Sequence, residues 1–97
     1  MKRKRKDHVD SRINRTALDL FRLGRGMLAE GFADNSVEFN EVCRGLHRAL
    51  GLRPWQPEVF DFELTIMEAK SYPVHANFAA IQELHRRLVA AARRTAN

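Results

Sequence analysis

The chain has 97 residues, 44% hydrophobic and 30% charged, which suits one domain with a modest core and excludes an intrinsically disordered polymer. No apolar run approaches the ~18 residues that span a bilayer, no apolar stretch follows the charged start as a secretory signal needs, and the single cysteine excludes an internal disulfide; a reducing, cytoplasmic setting is expected (nuclear in a eukaryotic source). The net charge of +5 is carried by Lys2, Arg3, Lys4, Arg5 and Lys6: 17 Lys and Arg less these five leaves 12, matching the 12 Asp and Glu.

Residues 1–9 lack apolar periodicity and are expected to form a disordered basic arm ahead of a single helical domain, 10–97. A first helix is expected from about Ser11 to Glu30, capped by Asp10 or Ser11. Ile13, Ala17, Leu20, Phe21, Gly24, Met27 and Leu28 recur on one face, and Gly31 stops it. Gly24 falls on that apolar face, where a second helix can approach closely. A second helix is expected from about Ser36 to Leu50, with Asn35 as cap and Glu38 completing a capping-box pair. Its stripe is Phe39, Val42, Cys43, Leu46 and Leu50, and Gly51 ends it in a left-handed turn. Pro54 and Pro57 punctuate the connection to the third segment.

That third segment reads two ways. Phe60, Phe62, Leu64 and Ile66 alternate with Asp61, Glu63 and Thr65, a strand pattern. No second strand offers a partner, so a strand here implies pairing between subunits. A helix from about Pro57 to Lys70 instead buries Phe60, Leu64 and Met67, with Pro57 in its first turn and Glu58 and Asp61 at its positive end; helix is favoured. After a break at Ser71-Tyr72-Pro73, a last helix is expected from Val74 to Arg93 through Phe78, Ile81, Leu84, Leu88 and Ala92. The fold class is all-α, a small four-helix array.

Charge is unevenly placed along the body. Residues 12–25 hold four arginines against Asp19, residues 54–69 hold Glu58, Asp61, Glu63 and Glu68 with no base before Lys70, and residues 86–94 hold four arginines and no acid. Two of these segments compose basic surfaces and one an acidic surface, complementary within a domain or between subunits.

Five consecutive bases cannot pack and remain in water unless a polyanion neutralises them. On nucleic acid each neutralised phosphate releases condensed counterions, giving affinity without sequence choice. Lys2–Lys6 are therefore the leading phosphate-binding candidates, followed by Arg12, Arg15, Arg86 and Arg87. Import into a nucleus, contact with anionic lipid or a purely solubilising tail are the other uses of such an arm. Ala49-Leu50-Gly51-Leu52 resembles the turn of helix-turn-helix proteins, whose second helix enters the major groove. Here that helix carries Glu58, Asp61, Glu63 and Glu68, which phosphates repel, so groove reading by it is disfavoured. Trp55, between two prolines, is either a core residue or an interface anchor. Cys43 and His47 stand at i and i+4, as two metal ligands can, but no second pair has ligand spacing; His75 and His85 are ten apart. No phosphate loop or nucleophile elbow is present, so no enzyme activity, cofactor, metal or small-molecule substrate is expected, and no membrane contact.

The layout of basic arm, helical body and arginine-rich last helix is similar to that of small bacterial or phage DNA-associated proteins, including DNA-packaging recognition subunits. It implies a nucleic-acid-binding accessory or regulatory protein, with an arm on phosphates and a body that self-associates into a homo-oligomer. The alternative is a protein–protein adaptor or inhibitor, acting through Trp55, Glu58, Asp61, Phe62 and Glu63.

Overall fold

The computed structural model describes residues 11–69 and 76–96; the arm Lys2–Lys6, the Asp10 cap, the 71–73 break and the expected helix start at Val74 lie outside the described residues. All regular structure among those described is helical: α1 (Ser11–Ala29), α2 (Val37–Ala49), α3 (Phe60–Ala69) and α4 (Phe78–Ala96), with 3-10 turns at Phe32–Asp34 and Pro57–Val59.

Helix α1 buries Ile13, Ala17, Leu20, Phe21, Gly24 and Met27, the face its periodicity predicts. It closes on Gly31, which takes a left-handed φ of 88° and leads into the first 3-10 turn. The cap of α2 is Ser36, not Asn35: the Ser36 hydroxyl accepts from the Phe39 N–H at 3.0 Å. Glu38 does not complete a capping box, because with Ser36 as the cap it stands at the second helical position rather than the third, and its carboxylate bonds Arg87 on α4. At the other end of α2, the Leu52 N–H reaches the His47 carbonyl (2.8 Å) and the Gly51 N–H the Arg48 carbonyl (3.1 Å). With Gly51 at φ 70° this is a Schellman turn, as the glycine position predicts.

The segment with the strand pattern is helical, a 3-10 turn running into α3, which removes the intersubunit strand. Phe60, Leu64 and Met67 face the core and Phe62 faces solvent at 53% exposure. Helix α4 begins at Phe78, where the Asn77 side chain accepts from the Ala80 N–H and caps the first turn.

Contacts between named residues give the topology. Arg12 at the start of α1 lies over the ring of Phe78 at the start of α4, and the far end of α1 shares a recess with Ala92, so α1 and α4 run in the same sense. Glu38 bonds Arg87 while Gly45, later in α2, meets Leu84, earlier in α4, so α2 runs the opposite way. Arg25 pairs with Asp61 and Arg22 with Glu68, so α3 also opposes α1. Helix α1 packs on α3 and α4, and α2 packs on α4. The core between them is aromatic. Phe60 stands edge-on to Phe21 (6.2 Å, 88°) and Trp55 (5.7 Å, 71°), and Phe39 meets Trp55 at 5.8 Å.

Candidate nucleic-acid interface

Packing decides which cationic side chains remain available to an anion. Arg22, Arg25, Arg53, Arg86 and Arg87 each lie within salt-bridge distance of a carboxylate: Glu68, Asp61, Glu63, Glu83 and Glu38, in that order. Arg87 is the most engaged. Its Nε donates to Glu38 at 2.6 Å and its Nη2 donates to Glu38 at 3.0 Å and Glu41 at 3.5 Å, tying α4 to α2. That guanidinium holds the Glu38 carboxyl below its usual range, chiefly by hydrogen bonding. Arg86 donates to Glu83 one turn back on the same exposed helix face. Of the other two phosphate candidates on the body, Arg12 stacks on Phe78 with 4.5 Å from guanidinium carbon to ring centre, and Arg15 is exposed on α1.

Arg44 and Arg48 stand apart from this network. Both are exposed on α2, and neither forms an ion pair among the described residues. At i and i+4 they share one helix face with Cβ atoms about 5–6 Å apart. Their like charges repel unless an anion sits between them. They line two recesses, one toward α4 with Glu41, Gly45, Leu84 and Arg87, the other at the end of α2 with His47, Leu52, Pro54 and Trp55. Since α2 opposes α4 and α4 follows α1, the Arg48 end of α2 lies toward the end of the bundle where α1 begins, the root of the basic arm.

His47 and Trp55, which line the second recess, each carry a buried unmet polar atom. His47 Nδ1 lies 3.0 Å from the Arg53 carbonyl oxygen. A carbonyl only accepts, so Nδ1 carries the hydrogen and Nε2 is a bare acceptor. Burial lowers the imidazole's pKa, against the hydrogen bond and the nearby Glu63, so the ring is neutral at neutral pH. Among the described residues neither His47 Nε2 nor Trp55 Nε1 has a hydrogen-bond partner.

Comparison with protein-family models, curated proteins and solved structures finds no match.

The acidic residues of 54–69 do not form one face. Glu58 and Asp61 are exposed, but Glu63 is 3% exposed and accepts from Arg53 Nε at 3.2 Å. Trp55 is buried between Phe39 and Phe60, a core position rather than a free anchor. Phe62 is the outward member of the group, with the Arg53 guanidinium 4.9 Å over its ring. The turn resembling helix-turn-helix proteins leads into a connector, 50–56, after which α3 packs on α1, with Glu58 and Asp61 exposed toward solvent. Cys43 is buried and its thiol is pushed up to about 12 by desolvation. Among the described residues no group of three or more His, Cys, Asp or Glu is placed to hold a metal, and no helix is long and apolar enough to cross a membrane. Arg44 and Arg48 are the residues that segment-by-segment charge counting passes over, because Glu38 and Glu41 precede them and the stretch reads as balanced.

Proposed function

We propose that this protein is a non-enzymatic nucleic-acid-binding accessory module. The observation that carries the reading is the run Lys2–Lys6, which holds the whole net charge of the chain. Phosphate neutralisation is the use that rewards such a run. Arg44 and Arg48 add a second cationic contact on the body, toward the end from which the arm departs. Arg86 and Arg87 contribute less, since their guanidiniums already serve carboxylates.

The test is a salt titration of binding to one fluorescent DNA duplex. Replacing Lys2–Lys6 by Gln is expected to flatten the slope of log affinity against log salt by about four or five. The Arg44→Gln/Arg48→Gln double variant is expected to flatten it by about two, and Arg86→Gln by less than one. Scrambling the duplex sequence is expected to change little, because phosphate contacts position rather than specify. Unchanged slope and affinity in the arm variant overturns the reading.

A second reading is supported by Phe62, a large exposed aromatic beside Glu58 and Asp61. Such a patch suits a protein partner or a second copy of the chain. In that case Phe62→Ser abolishes association, seen by sedimentation, while arm deletion leaves it intact.

A further inference from the structure

We infer that the recess at the end of α2 receives an unpaired nucleobase, whose phosphate rests on Arg44 and Arg48. This rests on the nucleic-acid reading and names the form of nucleic acid the body selects. The recess is about 320 Å³ and is lined by Arg44, His47, Arg48, Leu52, Pro54 and Trp55. Ligand sites run from roughly 300 to 1,000 Å³, so this one fits a single ring system and excludes a large cofactor. Its lining divides into an apolar part, Leu52, Pro54 and the indole, and a cationic rim of two arginines.

The unmet groups narrow the chemistry. His47 is 1% exposed and offers a lone pair at Nε2; Trp55 is 8% exposed and offers an N–H at Nε1. An occupant that satisfies both carries a donor and an acceptor together. A phosphate monoester dianion has only acceptors and leaves His47 unmet, and an aliphatic chain has neither. A nucleobase has both on its Watson–Crick edge, as adenine does with its exocyclic amine beside N1. In a duplex those edges are paired and the bases stacked, so only a single strand, loop or end presents one. The arginines then take the attached phosphate, for which the planar guanidinium is suited. Both nitrogens are closed off from solvent in this structure, so the recess must open for the base edge to meet them.

Trp55 is the only tryptophan of the chain, so its emission reports the recess directly. The full-length protein is titrated with adenosine monophosphate, and separately with inorganic phosphate and with adenosine, by fluorescence and calorimetry. A saturable change with the nucleotide is expected, with each half binding at least about ten-fold more weakly. Arg44→Gln/Arg48→Gln is expected to weaken the nucleotide about ten-fold and leave adenosine unchanged. Trp55→Phe, which keeps a ring and removes the N–H, is expected to weaken both in calorimetry. A single-stranded oligonucleotide displaces the nucleotide and a duplex of equal length does not. The inference is overturned if millimolar nucleotide gives no saturable signal by either method, if phosphate alone binds as well as the nucleotide, or if duplex and single strand displace it equally. In the first and third cases, arm-dependent duplex binding that persists at low salt leaves the nucleic-acid reading standing while the recess proposal fails; absence of all nucleic-acid binding removes both.

Discussion

The contact between α1 and α3 can be measured with one methyl group. A Cβ added at Gly24 would lie 2.6 Å from Phe60 Cζ and 3.0 Å from Cε1, closer than real Cβ contacts. Phe60 has little room to retreat: it is 1% exposed and held between Phe21, Trp55 and Phe39. Forcing extra volume into such a core costs about 1–3 kcal/mol, while replacing a helical glycine by alanine returns about 1 kcal/mol. Gly24→Ala is therefore expected to lose about 0–2 kcal/mol net. Two other helical glycines calibrate the result. At Gly26 a Cβ meets nothing within 4 Å, so Gly26→Ala should show the full gain of about 1 kcal/mol. At Gly45 it meets a terminal methyl of half-buried Leu84 at 3.1 Å, a flexible tip able to yield, so Gly45→Ala should fall between. In thermal melts followed by circular dichroism, each kcal/mol moves the midpoint by about 4–8 °C for a domain of this size. The expected order is Gly26→Ala above Gly45→Ala, then the parent chain, then Gly24→Ala. If Gly24→Ala melts as high as Gly26→Ala, α3 does not press on α1 through Phe60 and the aromatic core is not packed around that ring.

Acid should weaken the fold in two stages. His47 has a folded pKa below its usual 6.5 because burial disfavours the charged ring, with the Arg53 carbonyl hydrogen bond and Glu63 opposing and the Arg53 charge adding to the shift; its contribution is complete above 6.5 and is lost as pH falls from there through the folded value. Glu38 is held below its usual 4.5 by the Arg87 hydrogen bond, so that contribution is complete above 4.5 and disappears as pH falls through the folded value. Urea midpoints should show Arg87→Gln less stable than the parent at neutral pH, with the gap narrowing as pH falls below 4.5 through the folded Glu38 value; a gap that does not narrow in acid would assign Arg87 a packing role instead. Cys43, buried and with its thiol pushed up to about 12, should react with a thiol reagent at neutral pH only as the chain opens, so that labelling accelerates with urea; fast labelling of the native protein would place the thiol at the surface.

Periodicity makes α1 and the body of α2 legible, because their buried residues recur at helical spacing and their ends carry glycine in left-handed turns. Segment 58–66 defeats periodicity because Phe60, Phe62, Leu64 and Ile66 satisfy the strand template while Phe60, Leu64 and Met67 satisfy the helical one. The backbone hydrogen-bond argument separates the two, since a lone strand leaves its N–H and C=O groups unpaired. What no local pattern contains is the burial of Glu63, which depends on Arg53, ten residues upstream, reaching it across the connector. The cap of α2 escapes local pattern for a similar reason. Asn35 and Ser36 both suit the position, and Asn40, bonding the Ala33 and Ser36 carbonyls, ties the turn to α2 with Ser36 next to the helix.

The same distinction governs the charge. Segment 86–94 reads as purely basic, yet Arg87 faces Glu38 and Glu41 nearly fifty residues away in sequence. That pairing has two consequences. It removes one guanidinium from α4, and it takes from α2 the two carboxylates that make residues 38–48 look neutral. Arg44 and Arg48 are left uncompensated on a helix that sequence counting treats as balanced. A phosphate responds to guanidiniums whose donors are still free, because a committed one must first give up a carboxylate to contribute. The cationic character of the body, to which the exposed Arg15, Arg93 and Arg94 also contribute, therefore depends on how α2 packs on α4, and a variant that breaks Arg87 from Glu38 would redistribute it: Glu38→Gln removes one carboxylate and leaves Arg87 only the 3.5 Å contact to Glu41, and should steepen the salt dependence of nucleic-acid binding, whereas a packing-only role for Arg87 would leave that slope unchanged.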